Sequence, residues 1–257
     1  TFASAVKADT SVVLSNTTAG QNITFQDNLT TPTLTTTNNG YNLALLGSNT
    51  NISGTQAATV FNNTGTLTLG NQATDSLTFA GGLTATSPSA INAAGQISTT
   101  NANITLGTAP VALTADTTFN AGIGNLQFNG TLDGTFNLQL NSTGVVTLNG
   151  AIGQTAALTS LSTNAGGSMV INAGSITTTG NQHYGKDLTL ASDSTLTAGT
   201  GNISFNSTVN TDASALSATS LTLNNSGSIT FEAAVGGTRA LSALTTDTTL
   251  AGPILMR

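Results

Sequence analysis

His183 is the residue best suited to acid–base chemistry, because it is the only histidine in the sequence. It lies between Gln182 and Tyr184, in a stretch flanked by Gly180 and Gly185 that is typical of a turn. A catalytic histidine needs a nucleophile and an orienting group that converge on it. The sequence indicates neither, so we interpret His183 as an exposed turn residue and predict no catalytic residues.

The acidic residues are scattered along the chain. There are 10 Asp and Glu residues and 4 Lys and Arg residues. β-Helix enzymes that cleave polysaccharides bind anionic substrates with clustered acids, calcium and basic side chains, and no such cluster is present. The glycine pairs do not open a calcium-binding repeat, and the glycine-rich segment 150–155 does not open a helix with a lysine. We therefore predict no enzyme, no metal site and no cofactor.

The composition excludes several classes of protein. Charged residues make up 5% of the chain, against roughly 25% in an average soluble protein. The absence of Cys excludes disulfides, iron–sulfur clusters and thiolate zinc sites. A net charge of −6 is unsuited to nucleic acid, and no apolar run is long enough for a transmembrane helix. Hydrophobic residues still make up 38% and alternate with polar ones, which indicates packed strands.

A short repeat, with a period of about 20–26, organises the chain. The residues Leu126 and Phe128 recur as Val146 and Leu148, at an offset of 146 − 126 = 20. The segment 203–209 recurs as 229–235, at an offset of 229 − 203 = 26. A unit of this size cannot close its own core, so the repeat predicts stacked coils.

A longer repeat is superimposed on the short one. Asp116 matches Asp193 and Phe128 matches Phe205, since 193 − 116 = 77 and 205 − 128 = 77. Further along, the pair 157–158 recurs as 240–241, at an offset of 240 − 157 = 83, so the second copy contains a six-residue insertion (83 − 77). Because Asp116 and Asp193 occupy equivalent positions in the two copies, we expect each of them to form a turn or a cap.

We predict an all-β fold in one domain over residues 1–257, a parallel β-helix (β-solenoid) of about 12 coils and about 55 Å in length. Leu, Ile, Val, Phe and Ala should point inward, and Thr, Ser and Asn outward. Asparagines at coil corners can hydrogen-bond the backbone and stack on one another; the candidates are Asn125, Asn202, Asn129 and Asn206. The alternative is an antiparallel β-sandwich, which does not predict a repeat that keeps its register.

The segment 175–205 contains a Thr-rich "ITT-G-Q-Y" element followed by "L-L-D-L…G-I-F". The residues of these two elements are Ile176, Thr177, Thr178, Gly180, Gln182, Tyr184, Leu188, Leu190, Asp193, Leu196, Gly201, Ile203 and Phe205. With them the segment resembles the repeats of long bacterial filamentous-haemagglutinin-like and autotransporter-type exoproteins. The match is looser across the rest of the chain. The resemblance implies a right-handed β-helix shaft, secretion and a role in adhesion or surface fibres, and it implies no catalytic residues.

We therefore expect a structural or adhesive protein, extracellular or at the bacterial cell surface, as a mature product or a fragment of a longer exoprotein. The expected partners are copies of itself, end to end or side by side, the rest of a longer parent chain, or surface glycans. The expected contact surface is His183, Tyr184 and Lys186, which have no counterpart in the earlier copy. The alternatives are a β-helix polysaccharide-degrading enzyme and a carbohydrate- or ice-binding module.

Overall fold

The chain folds into a parallel β-solenoid. The computed structural model describes residues 1–15, 17–246 and 252–257, and these residues form strands, bridges, turns and bends without a helix. The strands pair in parallel and stack as a right-handed β-helix of about 11 turns. The predicted fold is confirmed, with about 11 turns in place of about 12, and the antiparallel alternative is wrong. Ala251, within the apolar closing segment 251–257, lies outside the described residues.

Each turn contributes strands to up to three sides of the solenoid, which we call face 1, face 2 and face 3. Face 1 consists of Val6–Lys7, Leu29–Thr31, Asn49–Ile52, Ser76–Phe79, the end of Ala90–Ser98, the end of Val111–Gly122, Asn137–Ser142, Ser160–Thr163, Gln182–Tyr184, Ile203–Phe205, Ile229–Phe231 and Ile254–Met256. Face 2 consists of a two-stranded ladder, Ser11–Leu14 and Thr33–Thr36, and an eight-stranded ladder, Thr59–Val60, Leu83–Ala85, Ile104–Leu106, Leu126–Phe128, Val145–Leu148, Ser168–Ile171, Asp187–Leu190 and Val209–Thr211. Face 3 consists of Asn22–Phe25, Asn42–Leu45, Thr66–Leu69, the start of Ala90–Ser98, the start of Val111–Gly122, Leu132–Asp133, Ser175–Thr177, Ser194–Thr197, Ser220–Asn224 and Ala243–Thr246.

The register of the ladders reproduces the short sequence repeat. Leu126 pairs with Val146 on face 2, and Ile203 pairs with Ile229 on face 1. The turn length varies along the solenoid. Leu77 pairs with Thr50 in the preceding turn, at an offset of 77 − 50 = 27, and with Ile97 in the following turn, at an offset of 97 − 77 = 20. The residues that match in the sequence at offsets of 20 and 26 are therefore stacked neighbours in the solenoid.

The longer repeat does not correspond to a whole number of turns. Phe128 lies on face 2, whereas its sequence match Phe205 lies on face 1. Likewise Leu113 lies on face 3 and its match Leu190 lies on face 2. The two copies share a succession of strands and corners, but the second copy is displaced by one face. The sequence repeat is thus a repeat of strand–corner units.

The two copies also share a loop contact. Asp133 Oδ1 accepts hydrogen bonds from the backbone N–H groups of Thr155 and the residue after it, at 2.8 and 3.2 Å. Asn210 Oδ1 accepts the same pair of bonds from Thr238 and the residue after it, at 2.9 and 3.3 Å. The acceptors are 210 − 133 = 77 residues apart and the donors are 238 − 155 = 83 residues apart. The six-residue insertion of the second copy therefore lies between Asn210 and Thr238.

Inward side chains form columns along the solenoid axis. Tyr184, Phe205 and Phe231 follow one another in the face 1 register and are buried. Their ring centroids lie 5.1 and 4.8 Å apart, with planes inclined by 10° and 7°. Such stacking contributes to stability beyond the burial of apolar area. The predicted inward placement of the apolar residues is confirmed along this column.

Asparagine side chains tie successive corners together. Asn125 Oδ1 accepts the backbone N–H of Val145 in the next turn at 2.8 Å. Asn202 Oδ1 accepts the N–H of Ser228 at 2.8 Å. At these corners the backbone has left the ladder, so the amide side chain supplies the missing acceptor. The predicted turn role of both asparagines is confirmed.

The other two asparagines predicted at turns also lie at corners. Asn129 Oδ1 accepts a hydrogen bond from Nδ2 of Asn149 in the next turn at 2.8 Å, and its own Nδ2 donates to Leu106 O at 3.0 Å. The backbone N–H of Asn206 donates to Tyr184 O at 2.9 Å. Asn129 is thus part of a side-chain ladder, whereas Asn206 joins two turns through its backbone.

Candidate functional site

His183 points outward from the face 1 strand Gln182–Tyr184 and is half-buried. Its Nδ1 lies 2.9 Å from the hydroxyl of Ser204 in the next turn. The interpretation of this stretch as an exposed turn is wrong, because its residues pair with Ile203–Phe205 and Tyr184 joins the inward aromatic column. An outward position leaves His183 as a candidate contact residue.

Tyr184 cannot belong to a contact surface, because its side chain is 0% exposed. Its hydroxyl donates to Gln182 Oε1 at 2.8 Å, and Gln182 Nε2 donates to the carbonyl oxygen of Thr197 at 2.9 Å. Burial raises the pKa of the Tyr184 hydroxyl. Side chains alternate along a strand, so the residues on either side of an outward His183 point inward. The prediction was wrong for Tyr184.

Lys186 is also buried, with 1% of its surface exposed. Its Nζ donates to the carbonyl oxygens of Ser142, two turns below, and of Gly166, at 2.6 Å for the latter. Loss of water around the ammonium lowers the pKa of Lys186. The ammonium therefore joins three successive turns from inside the solenoid, and the contact prediction was wrong for Lys186 as well.

Glycines occupy the positions equivalent to Lys186 in the two turns below. Gly144 and Gly167 precede Val145 and Ser168, which lie in the same ladder column as Asp187. A Cβ at Gly167 would overlap backbone carbonyl groups of the turn below, so this corner has no space for further side chains. The aliphatic part of Lys186 spans this corner while its charged end meets the carbonyl oxygens of Ser142 and Gly166.

Replacing Lys186 with methionine is expected to lower the free energy of unfolding by about 1–3 kcal/mol, because the buried carbonyl group of Ser142 and the more exposed one of Gly166 lose their donor. Lys186→Ala should lower it further, since it also leaves a cavity along the corner. Urea unfolding followed by circular dichroism measures both values. Lys7, which is exposed on face 1, gives the control Lys7→Met, for which we expect no change. A methionine variant as stable as the parent chain would contradict this account.

Aspartates act as caps between turns. The backbone N–H of Asn137 donates to Asp116 Oδ1 at 2.9 Å, and that of Ser220 donates to Asp193 Oδ1 at 2.7 Å. These bonds to the ionised carboxylates hold the pKa of both aspartates below the ordinary range. The expected turn role of the matched pair is confirmed. Within the described residues, no group of three or more His, Asp or Glu side chains could hold a metal ion.

The double substitution Asp116→Asn/Asp193→Asn should lower stability only modestly at neutral pH. The asparagine oxygen can keep the backbone bond, as that of Asn202 does, whereas the bond from Asn137 Nδ2 to Asp116 Oδ2 is lost. A lowered folded-state pKa means that stability is complete above the ordinary value of 3.8 and is lost as pH falls through the folded-state pKa. Asparagine does not titrate, so the stability of the variant should fall less between about pH 5 and about pH 2. Urea unfolding at both pH values measures this difference.

The matched control for these caps is Asp116→Ala/Asp193→Ala, which removes the acceptors altogether. We expect this variant to be less stable than the parent chain at every pH. An asparagine variant whose stability falls with acid as steeply as that of the parent chain would show that other groups govern the acid dependence.

An open groove of about 470 Å³ lies on face 1. Its floor is formed by the outward side chains of four successive turns, in the register Gln96, Thr118, Gln139, Ser162. The two glutamines are exposed and the two hydroxyl residues are half-buried. Long amide side chains therefore alternate with short hydroxyl side chains along the axis.

A ladder of hydrogen bonds forms one wall of this groove. Asn137 donates from its backbone N–H and its Nδ2 to the two carboxylate oxygens of Asp116, at 2.9 and 3.0 Å. Ser160 Oγ donates to Asn137 Oδ1 at 2.7 Å. The wall is thus held in place by bonds between turns, while the floor residues Gln96, Thr118 and Ser162 face the opening of the groove.

Comparison with known proteins finds no match for this chain. No family model, no curated protein and no solved structure matches it. In the part of the chain that the structure describes, no helix is long and apolar enough to cross a membrane. The function must therefore be argued from the geometry.

Sequence reasoning missed the face 1 groove. Its floor residues are separated by about one turn each, since 118 − 96 = 22 and 139 − 118 = 21. Each one lies between two inward residues of its own strand, which is the local signal for an outward position. Aligning the strands in register would have brought these four polar residues into one row.

Proposed function

We propose that this chain is a structural shaft segment of an extracellular bacterial fibre or surface protein. The observation that supports this proposal most directly is the face 1 ladder, which passes without a break from Val6–Lys7 to Ile254–Met256. Continuous parallel ladders around a packed interior make a stiff rod, about 50 Å long for about 11 turns. The resemblance of segment 175–205 to exoprotein repeats supports the extracellular, adhesive part of the proposal.

The outermost strands support assembly with further turns. Ile254 and Met256 continue the inward columns of Ile229 and Phe231, yet they are 47% and 61% exposed. At the opposite end, Phe2 is 44% exposed and stacks on Phe25. Open strand edges with apolar residues favour pairing with another strand. We propose that these ends join copies of the chain end to end, or join the other turns of a longer parent chain.

Electron microscopy and sedimentation of the purified chain test this proposal. The expected result is rods that lengthen with protein concentration. The double variant Ile254→Lys/Met256→Lys should stop this lengthening, because charged side chains oppose strand addition at an open edge. Ile123→Lys is the matched control, because Ile123 is 68% exposed and lies in a turn near the middle of the solenoid, away from both ends. Single particles at every concentration, or equal lengthening of the charged variant, would overturn end-to-end joining.

A further inference from the structure

The face 1 groove combines a concave shape with a floor of hydrogen-bonding side chains. Gln96, Thr118 and Ser162 present amide and hydroxyl groups to a concave opening of about 470 Å³. Amide and hydroxyl side chains can donate and accept at the same time. A ligand in this groove would therefore meet both a hydrogen-bond donor and a hydrogen-bond acceptor in every turn.

The spacing along the groove sets the form of the ligand. Successive turns are separated by about 4.8 Å, so the floor offers a new polar side chain at that interval. The long side chains of Gln96 and Gln139 are two turns apart, so the alternation of long and short side chains repeats after about 9.6 Å. An extended polymer that lies parallel to the axis and repeats every two units matches this floor.

The charge of the groove excludes anionic ligands. Among the described residues that line it, Asp116 is the one charged residue, and no Lys or Arg is present. The chain as a whole has a net charge of −6. A sulfated or uronic acid polymer would be repelled by this surface. A protein partner would find no exposed aromatic or large aliphatic anchor there, which is what the centre of a protein interface needs.

We propose that the face 1 groove binds a neutral β-1,4-linked polysaccharide, with the chain parallel to the solenoid axis. Such a polymer presents hydroxyl groups along its length, and alternate sugars face opposite ways, so it repeats every two units. Gln96 and Gln139 form hydrogen bonds with the hydroxyl groups of every second sugar, while Thr118 and Ser162 contact the sugars in between. Asp116 can accept a further hydroxyl, because an ionised carboxylate has about four acceptor sites. This inference is independent of end-to-end assembly.

Affinity electrophoresis of the full chain in native gels tests the proposal. Hydroxyethyl cellulose and galactomannan in the gel should slow the protein, whereas dextran, which has a different linkage, and heparin, which is anionic, should not. The absence of retention by both β-1,4-linked polymers would overturn the proposal. So would equal retention by dextran or by heparin.

A pair of matched variants places the site on face 1. Gln139→Ala/Ser162→Ala removes two floor side chains that are neighbours in the register. Gln127→Ala/Thr147→Ala removes the corresponding neighbours on face 2, where Gln127, like Gln139, donates to the asparagine two positions later. The face 1 variant should weaken retention by about tenfold or more, as expected for the loss of two hydrogen-bonding groups. Unchanged binding by this variant, or equal loss by the face 2 variant, would overturn the assignment.

Discussion

Replacing Phe205 with alanine is expected to lower the free energy of unfolding by about 3–5 kcal/mol. The ring is 1% exposed and lies between Tyr184 and Phe231, at centroid distances of 5.1 and 4.8 Å. The substitution removes both stacking contacts and leaves a cavity that parallel turns on either side cannot close, because their ladder bonds hold them apart. Equilibrium unfolding in urea, followed by circular dichroism, measures the change.

The control for this substitution is the neighbouring Ser204, which points outward from the same strand. Ser204→Ala removes only the hydrogen bond to His183 Nδ1, so it should lower the free energy of unfolding by about 1 kcal/mol at most. A Phe205→Ala variant that unfolds at the same urea concentration as Ser204→Ala would mean that the column contributes little to stability.

Gly150→Ala should lower the free energy of unfolding by about 3 kcal/mol or more, because it adds a methyl group where there is no space for one. A Cβ at Gly150 would overlap the carbonyl group of Gly130 in the turn below. Because that carbonyl is part of the backbone, the clash can be relieved only by separating two turns. Thermal unfolding of the purified variant measures the loss.

Gly40→Ala is the matched control for the corner glycine. Its nearest contact would be the Cβ of Ala19 at 3.4 Å, which is ordinary van der Waals contact. We therefore expect a change within about 0.5 kcal/mol. If both glycine variants unfold at the same temperature, the close approach of turns at Gly150 does not limit stability.

The fold could be predicted because the sequence repeats in register with the ladders. Ile203 and Ile229 match in sequence and also pair in space, and Leu126 and Val146 do the same. The corner role of Asn125 and its equivalents followed from the turn chemistry of asparagine. Local pattern and tertiary pairing agree at these positions, and such agreement is typical of stacked repeats.

The burial of Lys186 and Tyr184 could not be predicted, because it depends on contacts between turns that the local sequence pattern does not show. Lys186 is buried because its ammonium reaches backbone carbonyl oxygens two turns and one turn below, those of Ser142 and Gly166. A charged residue next to a glycine is otherwise typical of an exposed turn. Tyr184 was misplaced because a three-residue strand was interpreted as a turn, and a strand this short has little alternation of its own to detect.

The displacement of the longer repeat by one face has a consequence for how such a chain can grow. A duplication that ends after any strand and corner, rather than after a complete turn, still continues all three ladders. Each new copy then presents its surface in a different direction around the shaft. Asp133 on face 3 and its equivalent Asn210 on face 2 are an example of one ancestral position now facing two ways. Lengthening by duplication would thus distribute a surface feature around the solenoid instead of repeating it along one side.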